Sequence, residues 1–383
     1  MGDMSSDVLQ FHAFCLTDTG TRLDQYARAI ARVVCPGDVV VDLGAGTGIL
    51  SFLACAAGAE RVYAIEASEA IAYGEALAAS AGWADRVRFI NEPSSQVTLS
   101  ERADVIVADI HDTFGLQAGG LGAVIDVRNR LLKPGGRLIP WSLDLFVAPI
   151  EAHDVYRRSV DLWRQRIHGI DLSPLRSLAV NQKHPARFDS RQLIAPPAAL
   201  STVALATIDV PQAQGSARMT VARGGTVHGI CGSFVTTLTD GVTIGNLPGD
   251  SGTTNFAQAF FPIDTPVAVA AGDEISIAVD SFDSIQLRWQ MKVEPHGGGA
   301  ARCFDHSTFH STPMRPGALD KRADTYRPTL TARGAMEREL LGKFDGASPA
   351  ADLERWLLQR FGTQLPSARE AAAFLKSTIE RCG

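Results

Sequence analysis

The stretch VVVDLGAGTGIL, residues 39 to 50, constrains the fold of this chain more than any other part of the sequence. It begins with an apolar run, continues with Asp42, and then places Gly44, Gly46 and Gly48 within five residues. Apolar runs of this kind are typical of parallel strands that are buried on both faces. Glycines at the end of such a strand allow backbone N–H groups to approach a ligand closely. The stretch therefore predicts a nucleotide-binding turn between a strand and a helix.

Residues 20 to 140 alternate between helix-like and strand-like segments. The further strand-like segments are RVYAIEAS (61–68), VRFINE (87–92), ADVIVADI (103–110) and GRLIP (136–140). Such alternation is typical of α/β proteins with a doubly wound, Rossmann-like parallel sheet. We expect this sheet within residues 1 to 145, with its ligand cleft at the carboxyl ends of the strands.

The character of the sequence changes in the second half of the chain. Residues 200 to 295 are rich in β-branched residues and have turn signals every 8 to 12 residues, a pattern that indicates an antiparallel β-sandwich or barrel. Residues 335 to 381 have helical periodicity again. With 383 residues the chain can form more than one domain. We predict boundaries at 1–145, 146–300 (β-barrel) and 301–383, the last a linker followed by a small helical segment.

Two acids indicate which nucleotide the glycine turn binds. Glu66 lies 20 residues after Gly46 at the end of the second strand, where an acid typically binds ribose hydroxyls. Asp42 lies directly before the turn, where it would repel a pyrophosphate but suits an ammonium group. S-adenosylmethionine carries an ammonium and a sulfonium and no phosphate. We therefore expect this cofactor rather than NAD, whose fingerprint is G-x-G-x-x-G and not the G-x-G-x-G found here; a turn without a ligand is the remaining alternative.

The residues quoted above resemble the motifs of the protein arginine methyltransferases. The resemblance extends to HAFCLTD (12–18), RLDQY (22–26), RNRLLKPGGRLIP (128–140) and TVHGICGSF (226–234), and it covers about residues 10 to 295. It implies a methyltransferase domain followed by a β-barrel, with S-adenosylmethionine as the cofactor. The segment around Trp163, residues 155 to 180, resembles the dimerisation arm of the family and implies a homodimer.

The resemblance also implies further cofactor contacts. Arg22 corresponds to the arginine that pairs with the cofactor carboxylate, a bidentate contact for which a guanidinium is suited. Ser94 and Ser95 lie in the loop that should follow the adenine. Tyr26 is expected either to pack over the methionyl chain or to be a core residue of its helix.

The acceptor site departs from the family pattern. Asp109 stands at the first of the two glutamates that hold the substrate guanidinium, and Ala118 stands at the second. Asn255 and Phe256 replace the histidine and tryptophan of the T-H-W loop. Because a guanidinium buried against one short acid leaves donors unpaired, we expect a small or amino-acid-like molecule with an N or O nucleophile. Protein or peptide arginine is the first alternative, and a non-catalytic binding module is the second.

Three polar residues after the fourth predicted strand are the candidates for catalysis. Asp109, His111 and Asp112 follow the run VIVA. His111 is a candidate general base because the unperturbed pKa of histidine lies near neutrality. Asp109 and Asn255 are candidate substrate contacts. The alternative is that His111 and Asp112 simply form a loop, in which Asp112 caps the next turn.

Several function classes are disfavoured by composition. The net charge of −6 argues against a nucleic-acid partner, and no apolar run approaches the roughly 18 residues of a membrane span. His306 and His310 are four residues apart but lack an H-E-x-x-H pattern, so we expect no metal site. Cys35 and Cys55 lie in apolar surroundings, which predicts buried thiols in a reducing, cytoplasmic compartment.

Overall fold

The computed structural model describes residues 22–249, 254–313, 317 and 320–382. The HAFCLTD motif lies outside the described residues. The chain divides into two compact units, Met1–Pro313 and Met314–Gly383.

The first half of the larger unit is a parallel α/β sheet. Strands β1 to β7 are Val39–Leu43, Arg61–Ile65, Val87–Ile90, Ala103–Ala108, His111–Asp112, Gly115–Leu116 and Leu132–Ile139. Helices α1 to α4 are Arg22–Val33, Ile49–Ala56, Ile71–Ala81 and Gly120–Leu131. The sheet has the order β3-β2-β1-β4-β7, with parallel pairing throughout. This confirms the predicted doubly wound sheet, in which strand order reverses between β1 and β4 and so creates a cleft at their carboxyl ends.

The second half of this unit is antiparallel. Strands β8 to β19 are Ser142–Ile150, Arg166–Ile167, Ile170–Asp171, His184–Ala186, Ala198–Ala204, Gln212–Thr220, Gly225–Thr239, Val242–Gly245, Gln258–Val269, Glu274–Phe282, Gln286–Glu294 and Arg302–Ser307. One sheet has the order β11-β16-β14-β8-β12, with β15 paired to β14, and the other has the order β13-β17-β18-β19. The predicted antiparallel half is confirmed, but it extends beyond the predicted limits of 146 and 300 at both ends.

A continuous hydrophobic core joins the parallel and antiparallel halves. It contains Val41 and Ile106 from the parallel sheet together with Phe261 and Trp289 from the antiparallel sheets. Phe114, in the short β5–β6 hairpin, packs edge-to-face on Phe261 with 5.2 Å between ring centres. The hairpin that follows β4 is therefore packed directly against the antiparallel half.

The smaller unit is helical, as predicted for the end of the chain. Helices α5 and α6, His153–Ser159 and Arg176–Val180, belong to the larger unit, and α7 to α9 are Ala332–Leu341, Ala350–Phe361 and Ala368–Cys382. The last three helices share a core of their own. Its fully buried members include Leu340 and Leu357, which lie on the apolar faces of α7 and α8.

One expectation about the thiols is wrong. Cys55 is buried, but Cys35 is exposed, because it lies just beyond the end of α1 in the turn that leads into β1. No helix in the described parts of the chain is both long and apolar enough to cross a membrane. Among the described residues there is also no group of three or more histidine, cysteine or acidic side chains that could hold a metal ion.

Candidate active site

The glycine turn connects β1 to α2 and requires its glycines. Gly44, Gly46 and Gly48 have φ angles of 73°, 54° and 80°, in the left-handed region that residues with a Cβ rarely adopt. The N–H groups of Gly44 and Ala45 both donate to the carbonyl of Ile65, at 2.9 and 3.0 Å. These bonds fold the turn back over the end of β2.

Glu66 holds the glycine turn from the neighbouring strand. One carboxylate oxygen accepts from the N–H of Gly46 at 3.0 Å, and the other accepts from the N–H of Ser68 at 2.8 Å. A carboxylate offers about four acceptor positions, so each oxygen retains capacity for a hydroxyl. The arrangement fits the predicted contact with a ribose.

Asp42 is a buried carboxylate with an incomplete set of partners. Its exposed fraction is 1%; Oδ2 accepts from the hydroxyl of Ser51 at 2.7 Å, whereas buried Oδ1 has no partner among the described residues. Burial raises the pKa of the Asp42 carboxyl to about 7. Because an unsatisfied buried carboxylate is unfavourable, the position fits a cationic group such as the α-ammonium of S-adenosylmethionine.

A cavity of about 450 Å³ opens beside the turn. Its lining residues are Leu43, Gly44, Ile65, Glu66, Ala67, Glu92, Pro93, Ser94, Ile110, Gln117, Ala118, Gly119, Gly120 and Ala123. This described lining contains two carboxylates and no lysine or arginine, a charge balance that suits a ligand without phosphate. Ser94 lies in the lining, as expected for an adenine contact. Ser95 is exposed and lies outside the lining.

Arg22 and Asp109 contact each other at the carboxyl end of the sheet. Arg22 begins α1, Asp109 follows β4, and their side chains form an ion pair with exposed fractions of 7% and 16%. The ring of Phe256 packs against the guanidinium, with 5.6 Å from its carbon to the ring centre. The predicted cofactor-binding arginine and the predicted acceptor-binding acid therefore belong to one cluster.

His111 connects this cluster to the antiparallel half. Its Nδ1–H donates to Asp109 at 3.1 Å, and Nε2 accepts from the hydroxyl of Thr236 at 2.9 Å. The ring stacks on Phe234 with 5.4 Å between ring centres. Burial, together with the charge of Arg22, lowers the pKa of His111 to about 3. This environment does not suit the predicted general base, which works best with a pKa near neutrality; it suits a neutral ring that orients Asp109.

Asp112 is engaged elsewhere. Its carboxylate forms an ion pair with Lys183 and accepts from the N–H of Thr113. Although burial acts to raise it, the ammonium of Lys183 holds the pKa of the Asp112 carboxyl below its usual range. In the structure Asp112 anchors the β5–β6 hairpin to the segment before β11.

The segment that carries Asn255 reaches the cluster through its neighbour. The backbone carbonyl of Asn255 accepts from Arg187, and Phe256 lies 6.2 Å from the ring centre of His111. In the sequence, the only sign of this role is that Phe256 stands at the position of a tryptophan in the family's T-H-W loop. No sequence pattern points to Thr236 as a partner of His111, because 125 residues separate the two.

Three other residues have structural roles. The N–H of Ala152 donates to Nδ1 of His228 at 3.2 Å, a hydrogen bond within the antiparallel half. The hydroxyl of Tyr26 donates to the carbonyl of Ala108 at 2.7 Å, and Tyr26 is fully buried, as expected of a core residue. His306 lies in β19 and packs on Trp289, so it does not share a helix with His310.

Comparison with known families assigns both halves of the larger unit. The family described as "Ribosomal protein L11 methyltransferase (PrmA)" matches residues 22–140. The family described as "Arginine methyltransferase oligomerization subdomain" matches residues 142–294. The junction between the two matches coincides with the change from parallel to antiparallel structure.

The curated relatives are named as arginine methyltransferases. "Probable protein arginine N-methyltransferase 6" of Arabidopsis thaliana is 36% identical over 182 residues, which cover 45% of this chain and 42% of the relative. "Probable histone-arginine methyltransferase CARM1" of Oryza sativa subsp. indica is 31% identical over 288 residues, 69% of this chain and 53% of the relative. The chain thus spans about half the length of these relatives. Their names give no support to a small-molecule acceptor, and they favour the arginine alternative.

Solved structures share the fold. The Trypanosoma brucei PRMT1 enzyme-prozyme heterotetrameric complex with AdoHcy matches with a TM-score of 0.68 and 22% identity, covering 78% of this chain and 97% of that chain. Arabidopsis thaliana protein arginine methyltransferase 10 matches with a TM-score of 0.63 and 20% identity, covering 76% and 96%. In sequence, and separately in fold, this chain is therefore similar to protein arginine methyltransferases.

Proposed function

We propose that the chain transfers a methyl group from S-adenosylmethionine to the guanidinium of an arginine in a protein or peptide. The observation that carries this proposal is the ion pair between Asp109 and Arg22 at the edge of the cleft. In this pair the carboxylate of Asp109 already holds a guanidinium. Ile110, the next residue, lines the cavity beside the glycine turn. These two observations support the role we assign to Asp109, which is to hold an acceptor cation next to the proposed cofactor site.

The cofactor half of the proposal rests on charge. Asp42 offers a buried carboxylate oxygen without a described partner, Glu66 offers acceptor capacity for ribose hydroxyls, and the described cavity lining lacks cations. Arg22 lies within the same cluster and would pair with the cofactor carboxylate. When bound, the cofactor would supply a methyl group on its sulfonium, and an in-line displacement at the methyl carbon by nitrogen would release the cofactor as a neutral thioether.

The chain contributes mainly orientation to such a displacement. Asp109 holds the acceptor guanidinium by charge, and His111, itself fixed by Thr236, orients the carboxylate of Asp109. As the nitrogen gains the methyl group it must lose one proton, and Asp109 is the anionic group placed to receive it or to pass it to water. Ala118 and the two glycines after it leave open volume in the cavity instead of a second acid.

The test of this proposal sorts labelled products by size. The protein is incubated with S-adenosylmethionine labelled in its methyl group and a cell extract, and the products are separated by mass. We expect protein-sized products. If only small molecules carry the label, the acceptor is a free compound and not a protein. If the cofactor binds but no product is labelled, the chain is a non-catalytic binding module.

We also propose that the arm between α5 and α6 mediates homodimer formation. It exposes four large apolar residues, with exposed fractions of 37%, 43%, 65% and 42%, namely Leu162, Ile167, Ile170 and Leu175. The oligomerisation subdomain match includes these residues. An exposed apolar cluster of this kind is typical of an interaction surface.

Charge placed on this arm should separate the subunits. The combined substitution Ile167→Asp and Ile170→Asp is expected to halve the mass measured by analytical ultracentrifugation, because two carboxylates would have to be desolvated at the interface. The matched control is Val210→Asp with Ile285→Asp, at residues that are 55% and 64% exposed outside the arm. An unchanged mass for the arm variant would contradict the proposal.

A further inference from the structure

Asn246 is a buried amide between two segments of the candidate site. It follows β15 and has an exposed fraction of 4%. Its Oδ1 accepts from the N–H of Phe234 at 2.8 Å. Its Nδ2 donates to the carbonyls of Thr113 and Ala257, at 3.0 and 2.8 Å. Both amide hydrogens and the amide oxygen are thus used.

Each of these partners contacts, or lies within two residues of, a member of the cluster formed by Arg22, Asp109, His111 and Phe256. Thr113 is in the turn of the β5–β6 hairpin, two residues after His111. Ala257 directly follows Phe256, which packs on Arg22. Phe234 supplies the ring on which His111 stacks. One side chain therefore ties together the hairpin, the strand β14 and the segment before β16.

The orientation of this amide is determined by its surroundings. One partner is an N–H donor and two are carbonyl acceptors, so only one placement of the amide oxygen and nitrogen satisfies all three. The backbone is held as well: the N–H of Asn246 donates to Phe234 at 3.1 Å, and its carbonyl accepts from Gln258 at 2.6 Å. Gln258 in turn accepts from the N–H of Phe188 at 2.9 Å.

We propose that Asn246 is a positioning residue for methyl transfer. It fixes the β5–β6 hairpin relative to the segment carrying Phe256 and thereby sets the geometry of Asp109 and Arg22. Its effect on turnover rests on the proposed function, whereas its effect on the two segments does not. Aspartate at this position keeps an acceptor for the N–H of Phe234 but sets its second carboxylate oxygen against the carbonyls of Thr113 and Ala257.

The first test is kinetic and uses the full chain. We expect Asn246→Asp and Asn246→Ala to lower kcat for an arginine peptide at least about tenfold, while the Kd for S-adenosylmethionine stays within about twofold because Asp42 and Glu66 are untouched. The control is Val279→Ala, a buried residue of β17 that is 3% exposed. At an equal loss in Tm, this control should keep its kcat. A kcat within about twofold of wild type in both Asn246 variants would overturn the proposal.

The second test is independent of activity. Hydrogen exchange followed by mass spectrometry should show at least about tenfold faster exchange in residues 110–117 and 254–258 of Asn246→Ala, with unchanged exchange in β17 and β18. Unchanged exchange in the first two segments would overturn the positioning role. If exchange rises while the wild-type chain methylates nothing, the proposed function fails and the coupling by Asn246 stands.

Discussion

Replacing Asp109 with asparagine is expected to lower kcat/KM for an arginine peptide at least about a hundredfold, which corresponds to about 2.7 kcal/mol of transition-state stabilisation. Asparagine keeps the shape of the side chain but loses the charge that would hold a guanidinium. The same change leaves Arg22, whose side chain is 7% exposed, without the carboxylate opposite it. Breaking a buried pair in this way costs about 3 kcal/mol of stability, which thermal and denaturant unfolding would measure.

The matched control for this prediction is Asp112→Asn. Asp112 lies three residues further along the chain, in the β5–β6 hairpin, and pairs with Lys183, but its side chain is 35% exposed. We expect a loss of at most about 1 kcal/mol in stability and a change in kcat/KM of less than about threefold. Equal activity losses in the two variants would show that activity depends on the structure of the hairpin and not on the charge of Asp109.

Replacing Asp42 with asparagine is expected to weaken binding of S-adenosylmethionine at least about a hundredfold, or about 2.7 kcal/mol. The carboxylate oxygen without a described partner is the group expected to meet the cofactor ammonium, and an amide cannot replace its charge. Isothermal titration calorimetry at pH 8, where the Asp42 carboxyl is ionised, gives the comparison. Unchanged affinity in the variant would remove Asp42 from the cofactor site.

The raised pKa of Asp42 also predicts how the stability of the protein depends on pH. Burial raises the pKa of Asp42 from 3.8 to about 7 in the folded chain, so between these values the folded state binds a proton that the unfolded state has lost. Stability therefore falls as pH rises from about 4 to 7, by at most about 4 kcal/mol. Asp42→Asn should flatten this decline and be more stable than wild type at pH 8 without cofactor. An unchanged pH profile would contradict the assignment.

A control of opposite sign is Asp104. Hydrogen bonding to Lys133 and to the N–H of Val39 overcomes the effect of burial and lowers the pKa of its carboxyl. Asp104 therefore contributes stability above its unfolded pKa, which is lost as pH falls through the folded value. Asp104→Asn should destabilise the protein at neutral pH, where Asp42→Asn does not.

The parts of the site that could be predicted from sequence are local. The turn at Gly44, Gly46 and Gly48 and the acid at Glu66 each follow a strand whose apolar run is visible in the sequence, and the parallel sheet brings their ends together. Asp42 lies directly before the same turn in the sequence. Short-range patterns and one topological rule were sufficient to bring these residues to one edge of the sheet, where Gly44 and Glu66 line the cavity.

The acceptor side could not be predicted in the same way. Arg22 and Asp109 are 87 residues apart, and each was assigned to a different ligand although the structure pairs them. His111 resembles a general base because histidine titrates near neutrality, but burial and the charge of Arg22 lower its pKa to about 3. Asn246 resembles an ordinary loop residue until three distant backbone groups are seen around its amide. These properties arise from the packing of the two halves, which no local pattern contains.

The most direct test of the central claim uses two peptides that differ at one position. One carries an arginine and the other a lysine in the same basic sequence, and both are incubated with S-adenosylmethionine and the wild-type chain. We expect mass spectrometry to find the mass of one added methyl group on the arginine of the first peptide and none on the second, and we expect Asp109→Asn to lose this product. Equal methylation of both peptides would contradict the proposed transfer to arginine. The same holds if neither peptide is methylated while the chain consumes S-adenosylmethionine in the presence of a cell extract.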